Sequence, residues 1–310
     1  MFSIFRRTQP SFSIIMATYN RKNIIDDAIK SVLNQIYQNF ELIIVDDGST
    51  DNTEQHIKRK YAKELKSGKI RYFFLNHTGV CHARNYGLSV AKNDWIAYLD
   101  SDNVMLSDAL AIFAKHTRFS KVLYANLQYM SNGKILGDAF DYDRLQKGNY
   151  IDLGTFVHHK SLYTKLGGFD ENMTRLVDWD LILLYTKKHK PYHIDKTVLL
   201  YNDIDDHTRI SNIKSFHNNY IYIRKKHTPS IPIVTTIITT YNHEKYIEQA
   251  IDSALQQQGK FIHEIIISDD GSADSTPQIV ANLTNCYPLQ IQNLSTSQNV
   301  GISKKYETMF

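Results

Sequence analysis

Two cysteines in 310 residues, Cys81 and Cys286, are too few for a disulfide framework and have no metal-ligand spacing. They read as ordinary reduced thiols. Long hydrophobic runs are also missing: Phe12–Ala17 and Ile265–Ile267 fall far short of the ~20 residues that span a bilayer. The start, Met1-Phe2-Ser3-Ile4-Phe5-Arg6-Arg7, has no apolar core of a secretory signal, so a cytoplasmic chain is expected. Charge of one sign is lacking too. The 36 Lys+Arg and 32 Asp+Glu leave +4, too mild an excess to argue for nucleic acid. With 42% apolar and 22% charged residues, the composition excludes disordered, collagenous and repeat-fibre classes. What is present is enough chain for about two domains. The 20 tyrosines read as packing residues, with a sugar-binding surface as the other use.

The chain contains similar text twice. Ser13-Ile14-Ile15-Met16-Ala17-Thr18-Tyr19-Asn20 is echoed by Thr235-Thr236-Ile237-Ile238-Thr239-Thr240-Tyr241-Asn242. At the same offset, Ile24, Ile25, Ala28, Ile29, Val32 and Leu33 match Tyr246, Ile247, Ala250, Ile251, Ala254 and Leu255. That spacing predicts a helix with one buried stripe in each copy. Asp46-Asp47-Gly48-Ser49 is matched by Asp269-Asp270-Gly271-Ser272 after a one-residue shift, and Asn76–Val80 is mirrored by Gln298–Ile302. Matched blocks in one order imply a duplicated domain. The expected boundaries are 1–227 for the first copy, a proline-bearing linker at 228–232, and a truncated second copy at 233–310.

Within the first copy, strands are predicted near 12–17, 40–46, 70–75 and 94–99, and helices near 22–36, 52–66, 80–92 and 106–117. This alternation predicts an α/β fold, a mainly parallel sheet with helices on both faces. Ligands of such sheets sit beyond the carboxyl ends of the strands. Four polar loops fall there: Thr18-Tyr19-Asn20, Asp46-Asp47, Asn76–Gly79 and Asp100-Ser101-Asp102. The first turn has no glycine, which argues against a dinucleotide fold, a P-loop and a nucleotidyltransferase. Asp100 and Asp102, one residue apart after an apolar strand, suit Mg²⁺ or Mn²⁺, which take one or two carboxylates plus phosphate oxygens and water. An acidic strand end is otherwise a solvated turn.

The ordered set Thr18-Tyr19-Asn20-Arg21, Asp46–Asp51, Gly79 with Ala83–Gly87, Asp100-Ser101-Asp102, Gly167–Glu171 and Asp178-Trp179-Asp180-Leu181 resembles the family 2 inverting glycosyltransferases of the GT-A fold. The resemblance covers residues 11 to about 215 and, abbreviated, 232–310. It implies a GT-A sheet followed by a partial second copy, and metal-dependent transfer of a sugar from a nucleotide-sugar, UDP-linked by preference. The tandem arrangement is similar to bacterial enzymes that build capsule or lipopolysaccharide chains, so the implied acceptor is a glycan or lipid-linked glycan, with peripheral membrane association.

By the same resemblance, Asp47 accepts a hydrogen bond from the nucleotide base, Tyr19 flanks it and Ala17 adds backbone contacts. Arg84 and Asn85 reach the nucleotide or donor sugar, Asp100 touches ribose or sugar, and Asp102 ligates the metal. His207 is a second metal ligand or a bystander. Asp178 is the implied base, which takes the proton of the attacking hydroxyl; the family often has an acidic residue where this chain has Val177. Other readings remain open: a helix N-cap for Asp178 and a surface ion pair for Arg84. Asp180 reads as structural, and His158-His159 as a solvated pair or an acceptor contact. Phe2–Arg7 is a frayed end or a membrane contact. The second copy keeps Asp269-Asp270 but has no counterpart of the metal triplet or base, so it is expected to serve as a half-domain or a self-association surface. The alternative for the whole chain is a non-catalytic nucleotide- or glycan-binding or assembly module.

Overall fold

The β-α alternation is present in the computed structural model of the chain, which describes residues 9–203, 216–301 and 304. Two units divide it, residues 1–209 and 210–310. In the first, β1 (Phe12–Thr18), α1 (Ile25–Leu33), β2 (Phe40–Asp46), α2 (Thr53–Lys60), α3 (Ala62–Ser67), β3 (Ile70–Phe74), α4 (Val80–Val90) and β4 (Trp95–Tyr98) come first. Then follow β5 (Val104–Met105), α5 (Ala109–His116), β6 (Val122–Tyr129), β7 (Ile135–Leu136), α6 (Tyr142–Lys147), β8 (Phe156–His159), α7 (Ser161–Leu166), α8 (Val177–Thr186) and β9 (Tyr192–Tyr201).

Strands β3, β2, β1 and β4 pair in that order, all parallel. The register sets Thr18 of β1 against Asp46 of β2, so their exit loops leave the sheet side by side. Beyond β4 the sheet becomes mixed: β8 runs antiparallel to both β4 and β6, while β9 runs parallel to β6. Strand β2 is buried along its whole length, as expected for a strand covered on both faces. Helix α1 lays Ile25, Ala28, Ile29 and Val32 into the core that also holds Ile14, Met16, Leu42 and Ile44. Truncating Ile29 to Ala would cost about 2–5 kcal/mol through lost burial and a cavity. A buried polar clasp ties the strand bases together: Ser13 Oγ donates to Glu41 Oε1 at 2.6 Å, and Arg71 Nη1 to Glu41 Oε2 at 2.9 Å.

Two expectations are corrected. The helix predicted over 52–66 breaks at Tyr61 (φ −111°, ψ 30°), whose buried ring is held by its hydroxyl donating to Asp26 Oδ1 at 2.8 Å. His158 is not solvated but fully buried in β8, 2.9 Å from the Tyr98 hydroxyl, and burial pushes its pKa down to about 3.

The second unit contains α9 (Phe216–His227), β10 (Ile233–Thr240), α10 (Ile247–Leu255), β11 (Ile262–Asp269), α11 (Thr276–Cys286) and β12 (Ile291–Asn293). Helix α9 thus falls with this unit, although the prolines at 229 and 232 follow it. Its three strands are parallel in the order β10-β11-β12, over a core of Ile247, Ile251, Ile265, Ile267, Val280 and Ile291. A clasp like the first unit's recurs: Thr235 Oγ1 donates to Glu264 Oε2 at 2.7 Å, and the His217 ring lies 2.8 Å from Oε1. Among the described residues, no helix is long and apolar enough to cross a membrane.

Candidate active site

The loops after β1, β2 and β3 form one hydrogen-bonded cradle. Asn20, in the left-handed region (φ 53°), accepts the Thr50 amide on its side-chain oxygen at 2.7 Å and donates its own amide to Ser49 Oγ at 2.8 Å. Asp47 is buried and accepts two backbone amides, Thr78 N on Oδ1 and Gly79 N on Oδ2, each at 2.9 Å. The His77 ring stacks on exposed Tyr19 with centroids 4.2 Å apart, and its Nδ1 lies 3.0 Å from Asp47 Oδ2. Gly48 is required here: φ is +82°, and a Cβ would sit 2.9 Å from the His77 backbone nitrogen. Ala17 is half-buried in β1, paired with Val45. Tyr19, exposed on the side away from His77 and beside an anchored carboxylate, suits a flat heteroaromatic ring with an N–H donor.

The turn after β4 adds the acidic triplet. Ser101 and Asn103 are buried, while Asp100 and Asp102 are only half-buried, so the two carboxylates take the more open positions. Arg84, buried in α4, donates from Nη2 to Asp100 Oδ1 at 2.8 Å and lies over the Phe169 ring. Burial works against its charge, but the Asp100 and Asp178 carboxylates outweigh burial and raise its pKa. Arg84 is therefore a buried guanidinium whose ion-pair partner, Asp100, stays half-exposed. Asn85 is engaged elsewhere: its amide donates to Phe169 O at 2.9 Å and to Glu171 Oε1 at 2.8 Å, while its oxygen accepts Phe169 N. Gly168 allows this approach, since a Cβ there would meet Asn85 Oδ1 at 2.2 Å.

Asp178 enters from the first turn of α8, where the helix dipole favours a carboxylate. It is not the N-cap; that position belongs to Leu176, held at φ 60°, a strained conformation for a leucine. Trp179, the next residue, is anchored by Nε1 donating to Leu145 O at 2.7 Å. Burial pushes the Asp178 carboxyl above its ordinary value, opposed by Arg84 and first-turn amides and reinforced by Asp100. Asp178, Asp100 and Arg84 thus lie within each other's fields.

Two residues of this site escaped the sequence reading. Asn149 donates from Nδ2 to Asp178 Oδ2 at 2.9 Å. Asp152 accepts the Gly154 amide at 2.7 Å, and its pKa is pushed up to about 7 by burial and by the Asp100 and Asp178 charges, against Gly154 N–H and Arg84. The one signal was a polar pair flanking Tyr150-Ile151 before an apolar strand, and nothing in that spacing points at β4 or α8.

Among the described residues no three His, Cys, Asp or Glu side chains form a metal cage. The donor set at 100 and 102 instead fits Mg²⁺ or Mn²⁺ completed by phosphate oxygens and water, because such ions need only one or two protein carboxylates. His207 lies outside the described residues.

The Glycosyl transferase family 2 model matches residues 13–149 and 235–310. Chondroitin synthase of Pasteurella multocida (strain Pm70) is 23% identical over 303 residues, covering 94% of this chain but 30% of that relative's length. Among solved structures, S. aureus TarS in complex with UDP-GlcNAc superposes with a TM-score of 0.58 at 20% identity, covering 70% of this chain and 65% of that one. The mannosyltransferase PcManGT from Pyrobaculum calidifontis, in complex with GDP-Man and Mn²⁺, gives 0.52 at 15% identity, covering 82% and 66%. Both likenesses concern the fold, and they agree with the GT-A architecture expected from the sequence.

Proposed function

The chain belongs to glycosyl transferase family 2, and from that premise we propose that its N-terminal unit is a metal-dependent, inverting glycosyltransferase. The donor is a nucleotide-sugar, UDP-linked, and the acceptor a glycan or lipid-linked glycan of a bacterial capsule, lipopolysaccharide or related surface polymer. The observation that carries this reading is the meeting of the β4 turn with the start of α8, where the Arg84 guanidinium is paired with Asp100 and feels the charge of Asp178.

In this reading, Asp47 accepts the imide N–H of uracil, and Tyr19 covers the ring face. Ala17 supplies backbone contacts, and Asp100, held by Arg84, orients the donor ribose or sugar. Asp102 would hold the Mn²⁺ or Mg²⁺, with His207 a further candidate ligand, and the bound ion would neutralise charge on the diphosphate. Asp178 takes the proton from the acceptor hydroxyl as its oxygen attacks the anomeric carbon from the face opposite the diphosphate. The new C–O bond forms as the old one breaks, and the electron pair leaves with UDP. A raised proton affinity suits Asp178 to this role. Asn85 supports the site by joining α4 to residues 169–171.

The C-terminal unit is, in the same proposal, an abbreviated second copy of the nucleotide-binding half. Asn242 is held at φ 53° like Asn20, and Asp270 accepts Val300 N and Gly301 N as Asp47 accepts Thr78 N and Gly79 N. Its role is nucleotide binding or assembly, including self-association.

The test is release of UDP from a panel of UDP-sugars by the full chain with Mn²⁺ and oligosaccharide acceptors, with the anomeric configuration of the product read by NMR. Inverted product supports the proposal. Nucleotide binding without turnover on any donor–acceptor pair would favour the non-catalytic module.

A further inference from the structure

We infer that Asn149 is a positioning residue for Asp178: its side-chain amide grips one carboxylate oxygen and so fixes the plane in which that carboxylate meets the acceptor. The inference rests on the reading of Asp178 as the base.

The orientation of the Asn149 amide is determined from both ends. Its Oδ1 accepts Ile151 N at 3.1 Å, which leaves Nδ2 as the group that faces Asp178 Oδ2 at 2.9 Å. The loop carrying it is itself anchored. The Tyr150 hydroxyl accepts Asp141 N at 2.8 Å and donates to Asp141 O at 3.0 Å, and the Arg144 guanidinium lies 4.5 Å from the Tyr150 ring centre. Two residues further on, Asp152 closes a turn on Gly154 N. The neighbour of the base is held by the same stretch of chain, through Trp179 Nε1 to Leu145 O. Consecutive residues of α8 are thus tied to two points four residues apart, 145 and 149.

An N–H donated to a carboxylate favours its charged form. The other groups around Asp178 are Arg84 on α4, Asp100 after β4, Asp152 beyond Asn149, and the amides of Asp178 and Trp179. Among the described residues, Asn149 is the side chain seen to donate a hydrogen bond directly to an oxygen of the base.

The test compares Asn149→Ser, Asn149→Ala and Asn149→Asp with the wild-type chain and Asp178→Asn, measuring kcat, donor KM and the pH profile of kcat. Serine can still accept the Ile151 amide and keep the turn, but it is too short to reach Asp178. We expect Asn149→Ser and Asn149→Ala to lower kcat roughly tenfold with donor KM unchanged. The acid limb of the profile should move up by about one pH unit, and further in Asn149→Asp, which sets a second carboxylate beside the base. Wild-type kcat and an unmoved profile in Asn149→Ser, with Asp178→Asn inactive, would overturn the inference and leave the base in place. Normal turnover in Asp178→Asn would remove the base reading and this inference with it.

Discussion

The first three strand ends of the N-terminal unit and those of the C-terminal unit carry nearly the same hydrogen bonds. Ser49 Oγ accepts Asn20 N at 2.8 Å, and Ser272 Oγ accepts Asn242 N at 2.7 Å. Thr53 Oγ1 and Thr276 Oγ1 accept Arg21 N and His243 N. Asp51 and Asp274 accept Lys22 N and Glu244 N. Beyond that the units part. The N-terminal one goes on to Arg84–Asp100 and to Asp178 with Asn149, and among the described residues of the C-terminal one α8 has no counterpart. The cradle is therefore set by local β-loop-α text, which forms it in both units of this chain. The proposed chemical centre rests on long-range pairing, which among the described residues is found in the N-terminal unit.

The largest effect is expected from Asp178→Asn, which should lower kcat by about 10²–10⁴-fold while UDP binding persists; single-turnover kinetics would read it. Next, Asp47→Ala and Asp270→Ala each strip two backbone amides of their acceptor. Only Asp47→Ala should abolish transfer and UDP-dependent stabilisation in the transfer-competent unit; transfer lost equally in Asp270→Ala would place chemistry in both.

Asp152 gives a smaller, pH-dependent effect. Its folded pKa of about 7 lies above its unfolded value, so the protonated group favours the folded state at low pH. That contribution is lost as pH rises from about 4 to 7, a span of about 3 pH units and so a difference of up to ~4 kcal/mol at ~1.4 kcal/mol per pKa unit. Asp152→Asn should therefore melt progressively higher than the wild type over that window, and a constant difference would contradict the shift. The smallest effect sharpens the likeness. Gly48→Ala and Gly271→Ala both place a Cβ on positive-φ backbone under 3.0 Å from another main-chain atom, and each should cost more than ~1 kcal/mol in denaturant melts.

How much could be read from sequence follows the same divide. Strands β1 to β4, the stripe of α1 and the loop carboxylates were legible because each is set by spacing within a few dozen residues. The break at Tyr61 was hidden, since its ring is fixed by Asp26, a contact 35 positions away. The burial of His158 was hidden because an antiparallel strand between β4 and β6 has no signature in local periodicity. Asn149 and Asp152 were invisible for the strongest version of this reason. Their partners sit on other elements, and the loop that carries them has no pattern of its own.

The most direct test of the central claim is the melting midpoint of the full chain with UDP, with and without Mn²⁺, for wild type, Asp102→Ala and Asp178→Asn. UDP near 100 times its Kd should add about 2.7 kcal/mol. A Mn²⁺-dependent shift is expected in the wild type, with its loss in Asp102→Ala and its survival in Asp178→Asn. No shift with UDP and Mn²⁺ in the wild type would contradict the claim.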